Sequence, residues 1–122
     1  MAKDDKIKII EKYYSDREIF ESLEPLTRKW FKGKFGTFTP SQQAALIPIK
    51  HRKNILVSSP TGSGKTLCAF TSIVDYLVGL SIKREIEDKV YCVYISPLKA
   101  LNKDISVNLQ EPLAEIEKIY GK

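Results

Sequence analysis

The sequence predicts an α/β fold in which parallel strands form a sheet flanked by helices. Two short apolar runs, 54–58 and 90–95, have the composition of buried strands. A helical pattern of apolar residues follows each run, over 65–78 and again over 98–109. This alternation favours a parallel sheet. Only two strands are evident, and since two strands form a poor sheet alone, we expect the sheet to be incomplete.

Helices are also predicted ahead of the first strand, in an N-terminal helical segment that spans 1–33. Ser15 and Glu18 have the spacing of a capping box, in which each side chain bonds a free amide at a helix start. Pro25 suits the first position of a second helix, and Gly33 suits its end.

The later helices are bounded by similar signals. A third helix is expected to start near Ser41, and Pro48 is expected to kink or end it. Gly79 is placed to end the helix that follows the first strand. The charged stretch 81–89 is expected to lie on the surface, and Pro112 to open a last short helix.

Composition indicates one globular domain inside the cell. The 122 residues are 43% hydrophobic and 29% charged. Lys and Arg outnumber Asp and Glu by 20 to 15, which weakly favours anionic partners. No apolar run has secretory or membrane-spanning length, so we expect a cytoplasmic location and no membrane partner. Cys68 and Cys92 form no metal-ligand cluster and are expected to be buried thiols.

A glycine-rich loop joins the first strand to its helix and has the chemistry of a phosphate cradle. Glycines expose backbone amides, and these form an anion nest at the N-terminus of the next helix. Lys65 would reach the β and γ phosphates of a nucleoside triphosphate, and Thr66 would bind Mg²⁺, so both are the predicted catalytic residues. The cradle departs from the usual pattern at its first position, which is not glycine. Its residues are Ser59, Pro60, Thr61, Gly62, Ser63, Gly64, Lys65 and Thr66.

Three segments in order, FTPSQ (38–42), SPTGSGKT (59–66) and SPLKALNKDI (96–105), resemble the Q motif, Walker A motif and motif Ia of superfamily 2 helicases. The resemblance covers roughly 30–109 and is greatest to the large helicase-related (Lhr-type) proteins. It implies a RecA-like P-loop fold and ATP as the nucleotide. It also implies that Gln42 reads adenine, for which an amide offers both a donor and an acceptor.

The same resemblance implies an ATP-dependent helicase or translocase acting on nucleic acid, with DNA favoured over RNA. The residues that it implies at the sugar-phosphate backbone are Ser96, Pro97, Leu98, Lys99 and Ala100.

The carboxylates that hydrolysis requires are not recognised in the sequence. P-loop ATPases hold Mg²⁺ with an acid at the end of a strand, but Asp104, Glu111, Glu115 and Glu117 follow no apolar run. We therefore expect 34–122 to be the N-terminal part of a helicase ATP-binding domain, truncated before its DExH motif. Its partners would be the rest of the first lobe and the second lobe, and the chain alone would have little activity.

Two other functions remain open at this stage. The chain could belong to a different P-loop ATPase or kinase that shares only the cradle. It could also be a non-catalytic truncated product that binds nucleotide without turnover.

Overall fold

Five α-helices account for most of the backbone that the structure describes. The computed structural model describes residues 8–9, 11–58, 60, 64–95, 103 and 105–120. The helices are α1 (Asp16–Ser22), α2 (Pro25–Lys34), α3 (Pro40–Lys50), α4 (Lys65–Ile82) and α5 (Glu111–Tyr120), with a π-helical segment, Ser106–Gln110, leading into α5.

The first two helices start where the sequence predicts. Ser15 Oγ accepts a hydrogen bond from Glu18 N at 3.1 Å, and Glu18 Oε1 accepts one from Ser15 N at 2.9 Å, so the capping box is confirmed. Pro25 is the first residue of α2. The prediction that Gly33 ends α2 is wrong, because the helix continues to Lys34 and the glycine with positive φ is Gly36, at 83°.

Two helices run past their predicted ends. Pro48 lies inside α3, whose last turn is closed by a 3.0 Å hydrogen bond from His51 N to Ile47 O. Gly79 lies inside α4 and is buried against α2, since a Cβ added there would lie 3.0 Å from Glu24 Oε2. This glycine serves close packing rather than helix termination. Contacts from distant parts of the chain therefore outweigh these local stop signals.

α4 is the central helix of the core. By length and apolar composition alone it would also suit a membrane crossing, but nearly half of it is buried inside the described structure. Phe31 stacks on Phe38 with ring centroids 4.4 Å apart, which joins α2 to the loop before α3. The buried cluster consists of Ile19, Phe20, Leu23, Trp30, Phe31, Phe38, Ala45, Leu46, Ile47, Cys68, Val74, Val78 and Ile116.

The two predicted strands are irregular segments in the described part of the chain. A strand needs a neighbour to pair its amides and carbonyls, and two short segments supply too few partners to form a sheet. Alternation survives in the first segment, where Ile55 and Val57 pack against the core while Leu56 is 93% exposed. In the second segment Ile95 is 88% exposed, and Cys92, predicted to be buried, is exposed.

The remaining expectations concern the connections and the C-terminal part. Residues 81–89 are exposed throughout, as predicted. α5 begins at Glu111, one residue before Pro112, which confirms the last predicted helix. The predicted helix over 98–109 is helical from 105 onward, and its earlier part lies mostly outside the described residues.

Candidate functional site

Gly64 is the N-cap of α4 and marks the end of the predicted phosphate cradle. Its φ is 86°, in the left-handed region that favours glycine. A Cβ added to Gly64 would lie 2.6 Å from Gln42 Nε2 and 3.1 Å from Thr39 Oγ1. Both the backbone conformation and the approach of α3 therefore require glycine at this position.

Gln42 links the start of α3 to the start of α4. Its side-chain Nε2 donates to Gly64 O at 3.2 Å, and its Oε1 accepts from Thr39 N at 2.9 Å. Thr39 Oγ1 in turn accepts from Gln42 N at 3.4 Å, which completes a second capping box. Gln42 is only 2% exposed. The two bonds fix which end of the amide carries the donor.

Asp16 holds the segment that leads into Thr39. Its carboxylate accepts hydrogen bonds from Thr37 Oγ1 and, at 3.2 Å, from Gln43 Nε2. Burial opposes ionisation, but these bonds and one from the backbone of Phe38 together lower the pKa of Asp16. The charged carboxylate thereby anchors the entrance to α3 on α1.

Lys65 and Thr66 form the first turn of α4 and are both exposed. Among the described residues no side chain caps the backbone at this helix start, and the first amides of a helix carry a partial positive charge. A helix start of this kind can accept an anionic group, and Lys65 and Thr66 are the side chains that it presents first.

Several predicted site residues cannot be located. Ser59, Thr61, Gly62, Ser63 and the whole motif Ia segment, Ser96 to Ala100, lie outside the described residues, as does Asp104. Pro60 is described and exposed. Within the described ranges no group of three His, Cys, Asp or Glu side chains comes close enough to hold a metal ion.

The Q-motif segment, the loop-end glycine and the following helix thus meet in one place. The family model for DEAD/DEAH box helicases matches residues 39–122, which is more than half of the chain. The chain belongs to the DEAD/DEAH box helicase family.

Several relatives of this chain are Lhr proteins. It is 56% identical over 110 residues to ATP-dependent helicase Lhr-Core of Saccharolobus solfataricus, covering 90% of this chain and 13% of that protein. It is 50% identical to Lhr-Core of Methanocaldococcus jannaschii, over 91% of this chain and 13% of the relative. The Lhr helicase/uracil glycosylase of Escherichia coli is 41% identical over 77% of this chain and 6% of its own length. No solved structure matches significantly.

Sequence reasoning missed two contacts between α3 and its surroundings. The first is the capping box of Thr39 and Gln42, although its T-x-x-Q spacing is the pattern that identified Ser15 and Glu18. The second is the ion pair between Lys50 and Asp75 at the far ends of α3 and α4. Nothing in the local sequence around either residue indicates that they meet.

Proposed function

We propose that this chain is the ATP-binding portion of an ATP-dependent nucleic-acid helicase or translocase. The relatives' printed names support the helicase activity, and the geometry around Gly64 supports the nucleotide site. The chain spans about 13% of the archaeal relatives that it matches, so the activity of the whole protein is part of this proposal.

In the proposed site, the loop from Ser59 to Thr66 surrounds the phosphates of ATP. Lys65 neutralises the β and γ phosphates, and Thr66 contributes a hydroxyl to Mg²⁺. When bound, Mg²⁺ offsets the phosphate charge and stabilises charge that develops on the transferred group.

Gln42 is proposed to read the base. An amide has two N–H groups and two acceptor positions; Gly64 O and Thr39 N take one of each. The second N–H and the second lone pair are then available for the N7 and N6 atoms of adenine. Guanine carries an acceptor in place of the N6 donor, so an amide of fixed orientation favours adenine.

A single observation carries the proposal: Gly64 is in close contact with both Thr39 and Gln42. That contact joins the predicted adenine-reading segment to the predicted phosphate loop at an uncapped helix N-terminus. A glycine-rich turn without a nucleotide role would not require this approach.

The complete fold is proposed to be a RecA-like parallel sheet in which 54–58 and 90–95 are strands. The exposed apolar side chains of these segments support the proposal, because further strands from the same protein would cover them. The domain organisation is proposed to be helical over 1–33 and ATP-binding from 34 onward.

Hydrolysis is proposed to need groups that these residues do not supply. The DExH motif, the rest of the first lobe and the second lobe would provide the Mg²⁺ carboxylate and the water-positioning group. Ser96 to Ala100 would contact the nucleic-acid backbone, with DNA as the proposed substrate. A cytoplasmic location is also proposed for the helicase.

The test is the binding of Mg-ATP to Lys65→Ala and to the wild-type protein by calorimetry. Loss of a charged contact to phosphate should weaken binding by about 10-fold to 100-fold. Lys53→Ala is the matched control, because Lys53 is exposed just before the first apolar run. Equal affinities of wild type and Lys65→Ala for Mg-ATP would contradict the assigned role.

A measurement of ATP turnover distinguishes the helicase from the non-catalytic alternative. ATP hydrolysis stimulated by single-stranded nucleic acid in the complete protein supports the helicase, whereas binding of ATP without any turnover supports a nucleotide-binding product. Phosphoryl transfer to a small molecule would favour a kinase.

A further inference from the structure

Asp75 connects three helices at a site distant from the nucleotide loop. One of its carboxylate oxygens pairs with Lys50 Nζ. The side chain of Asp75 is 2% exposed, and that of Lys50 is 19% exposed. The other oxygen accepts a hydrogen bond from Glu24 N at 2.8 Å, at the start of α2. The predicted cradle uses neither Lys50 nor Asp75, so their pairing needs an explanation of its own.

Stability alone is a weak explanation for a buried ion pair. The loss of hydration offsets much of the attraction, and apolar residues of similar volume often stabilise a protein as well. The best-attested use of such polar contacts is to fix the register between helices. Here the neighbouring contacts of α3 are apolar and include Leu46, which is completely buried. Apolar contacts are non-directional, so they set the axial position of a helix poorly.

α3 and α4 run in the same direction and are joined at two points. At their N-terminal ends Gln42 Nε2 donates to Gly64 O at 3.2 Å. Towards their C-terminal ends Lys50 pairs with Asp75, about 12 Å further along α3. Pro48 lies between the two points and has no amide for the helix ladder. The contact of Lys50 with Asp75 of α4 therefore helps to stabilise the last turn of α3.

We propose that Lys50 and Asp75 are positioning residues for base recognition, because their ion pair sets the axial position of α3 on α4 and holds the Gln42 amide against Gly64. This inference rests on the nucleotide site proposed above. The fit is tight, since a Cβ on Gly64 would lie 2.6 Å from Gln42 Nε2. A small shift of α3 would break the bond to Gly64 O and leave the amide held only by Thr39 N, so that the amide could turn about that single bond.

Loss of the ion pair should affect recognition of the base and spare binding of the phosphates. Rotation of the Gln42 amide removes the distinction between adenine and guanine, whereas the phosphates remain held by the loop and Lys65. Loss of the ion pair should therefore weaken ATP binding and leave GTP binding unchanged. A purely structural role for Asp75 would lower the affinity for both nucleotides together.

The experiment measures Kd for Mg-ATP and Mg-GTP by calorimetry in the full-length protein. Asp75→Asn removes the charge and retains an oxygen for Glu24 N. We expect its Kd for Mg-ATP to rise about threefold to tenfold, the range of one positioning hydrogen bond, with no change for Mg-GTP. Lys50→Met is the second variant, because it removes the same ion pair at its more exposed partner. Lys50→Arg retains the charge and should retain the preference for ATP.

Two further variants test the pathway through Gln42. Gln42→Ala should lose the preference for ATP, and adding Asp75→Asn to it should change the ratio of the two Kd values no further. Glu115→Gln is the matched control, because it removes the charge from a different ion pair, Lys34 to Glu115 at 2.9 Å. It should leave the ratio unchanged.

The outcomes separate this inference from the proposed function. Wild-type protein that prefers ATP, with the same preference in Lys50→Met, would overturn the positioning role alone. An additive loss in the variant that combines Gln42→Ala with Asp75→Asn would overturn it as well. Wild-type protein that binds neither nucleotide would overturn the proposed site together with this inference.

Discussion

At the scale of single residues, Gly64 is the position with the least freedom. Its φ of 86° would strain any residue that has a side chain, and a Cβ added there would lie 2.6 Å from Gln42 Nε2. By contrast, Gly33 has no atom within 4 Å of an added Cβ and lies within α2. The two glycines therefore form a natural pair for substitution.

We predict opposite effects of alanine at these two positions. Gly64→Ala should destabilise the chain by about 1–2 kcal/mol through its left-handed backbone and should weaken Mg-ATP binding by displacing Gln42. Gly33→Ala should stabilise the chain by about 0.5–1 kcal/mol, as alanine does inside a helix. Urea unfolding measures both, and a Gly64→Ala variant with wild-type stability and ATP affinity would contradict the assigned geometry.

At the scale of secondary-structure elements, one carboxylate fastens α5 to α2. Glu115 Oε1 accepts hydrogen bonds from Trp30 Nε1 at 2.7 Å and from Lys34 Nζ at 2.9 Å. The bond from Trp30 is the main cause that lowers the pKa of Glu115, followed by the bond from Lys34. The ionised carboxylate is therefore the form that the folded chain prefers.

This link should make the stability of the chain depend on pH. The folded pKa of Glu115 lies below its ordinary value of 4.5. Its contribution to the free energy of unfolding is therefore fully present above pH 4.5. The contribution is lost as the pH falls through the folded pKa. The effect should be below about 1 kcal/mol, since such an exposed pair is screened by solvent.

The measurement is urea unfolding followed by the fluorescence of Trp30, the only tryptophan, at pH 7 and pH 3.5. Glu115→Gln retains an acceptor for Trp30 and should lose less stability between the two pH values than wild type. An equal loss in both proteins would argue against this carboxylate as a source of the pH dependence.

The element boundaries also show what the sequence can predict. The start of α1 follows from Ser15 and Glu18, because a capping box involves residues only three apart. Gly33 and Gly79 do not end their helices as predicted, and Pro48, predicted to kink or end α3, does not end it. Packing against distant residues can decide whether a helix continues. Gly79 meets Glu24 of α2, for example, and no local pattern carries that information.

At the scale of the whole molecule, the predicted sheet is the main difference between sequence and structure. The helices and their core assemble from the described residues. By contrast, neither 54–58 nor 90–95 is a strand there, and only 54–58 keeps a strand-like alternation of side chains. The cradle stays a prediction from eight consecutive residues, of which the structure describes Pro60, Gly64, Lys65 and Thr66. The ion pair of Lys50 and Asp75 could not be predicted, because it depends on how α3 and α4 pack.

The exposure of the second apolar segment can be measured through its cysteine. Cys92 is exposed, whereas burial of Cys68 raises the pKa of its thiol to about 12. We predict that Cys92 of the 122-residue chain reacts rapidly with a maleimide at pH 7 and that Cys68 reacts only on unfolding. In a longer protein with a completed sheet, Cys92 should become protected. Rapid labelling of Cys92 in that protein would contradict the proposed sheet.

The contact between Gly79 and Glu24 has a consequence for sequence variation. A residue larger than glycine at position 79 meets the Glu24 carboxylate at 3.0 Å, so it is tolerated only if the side chain at position 24 is shorter or turns away. Glu24 is also the N-cap of α2, whose amide bonds Asp75. Positions 24 and 79 should therefore change together among homologous chains, whereas position 75 should vary independently of them, because any residue except proline offers Asp75 the same amide.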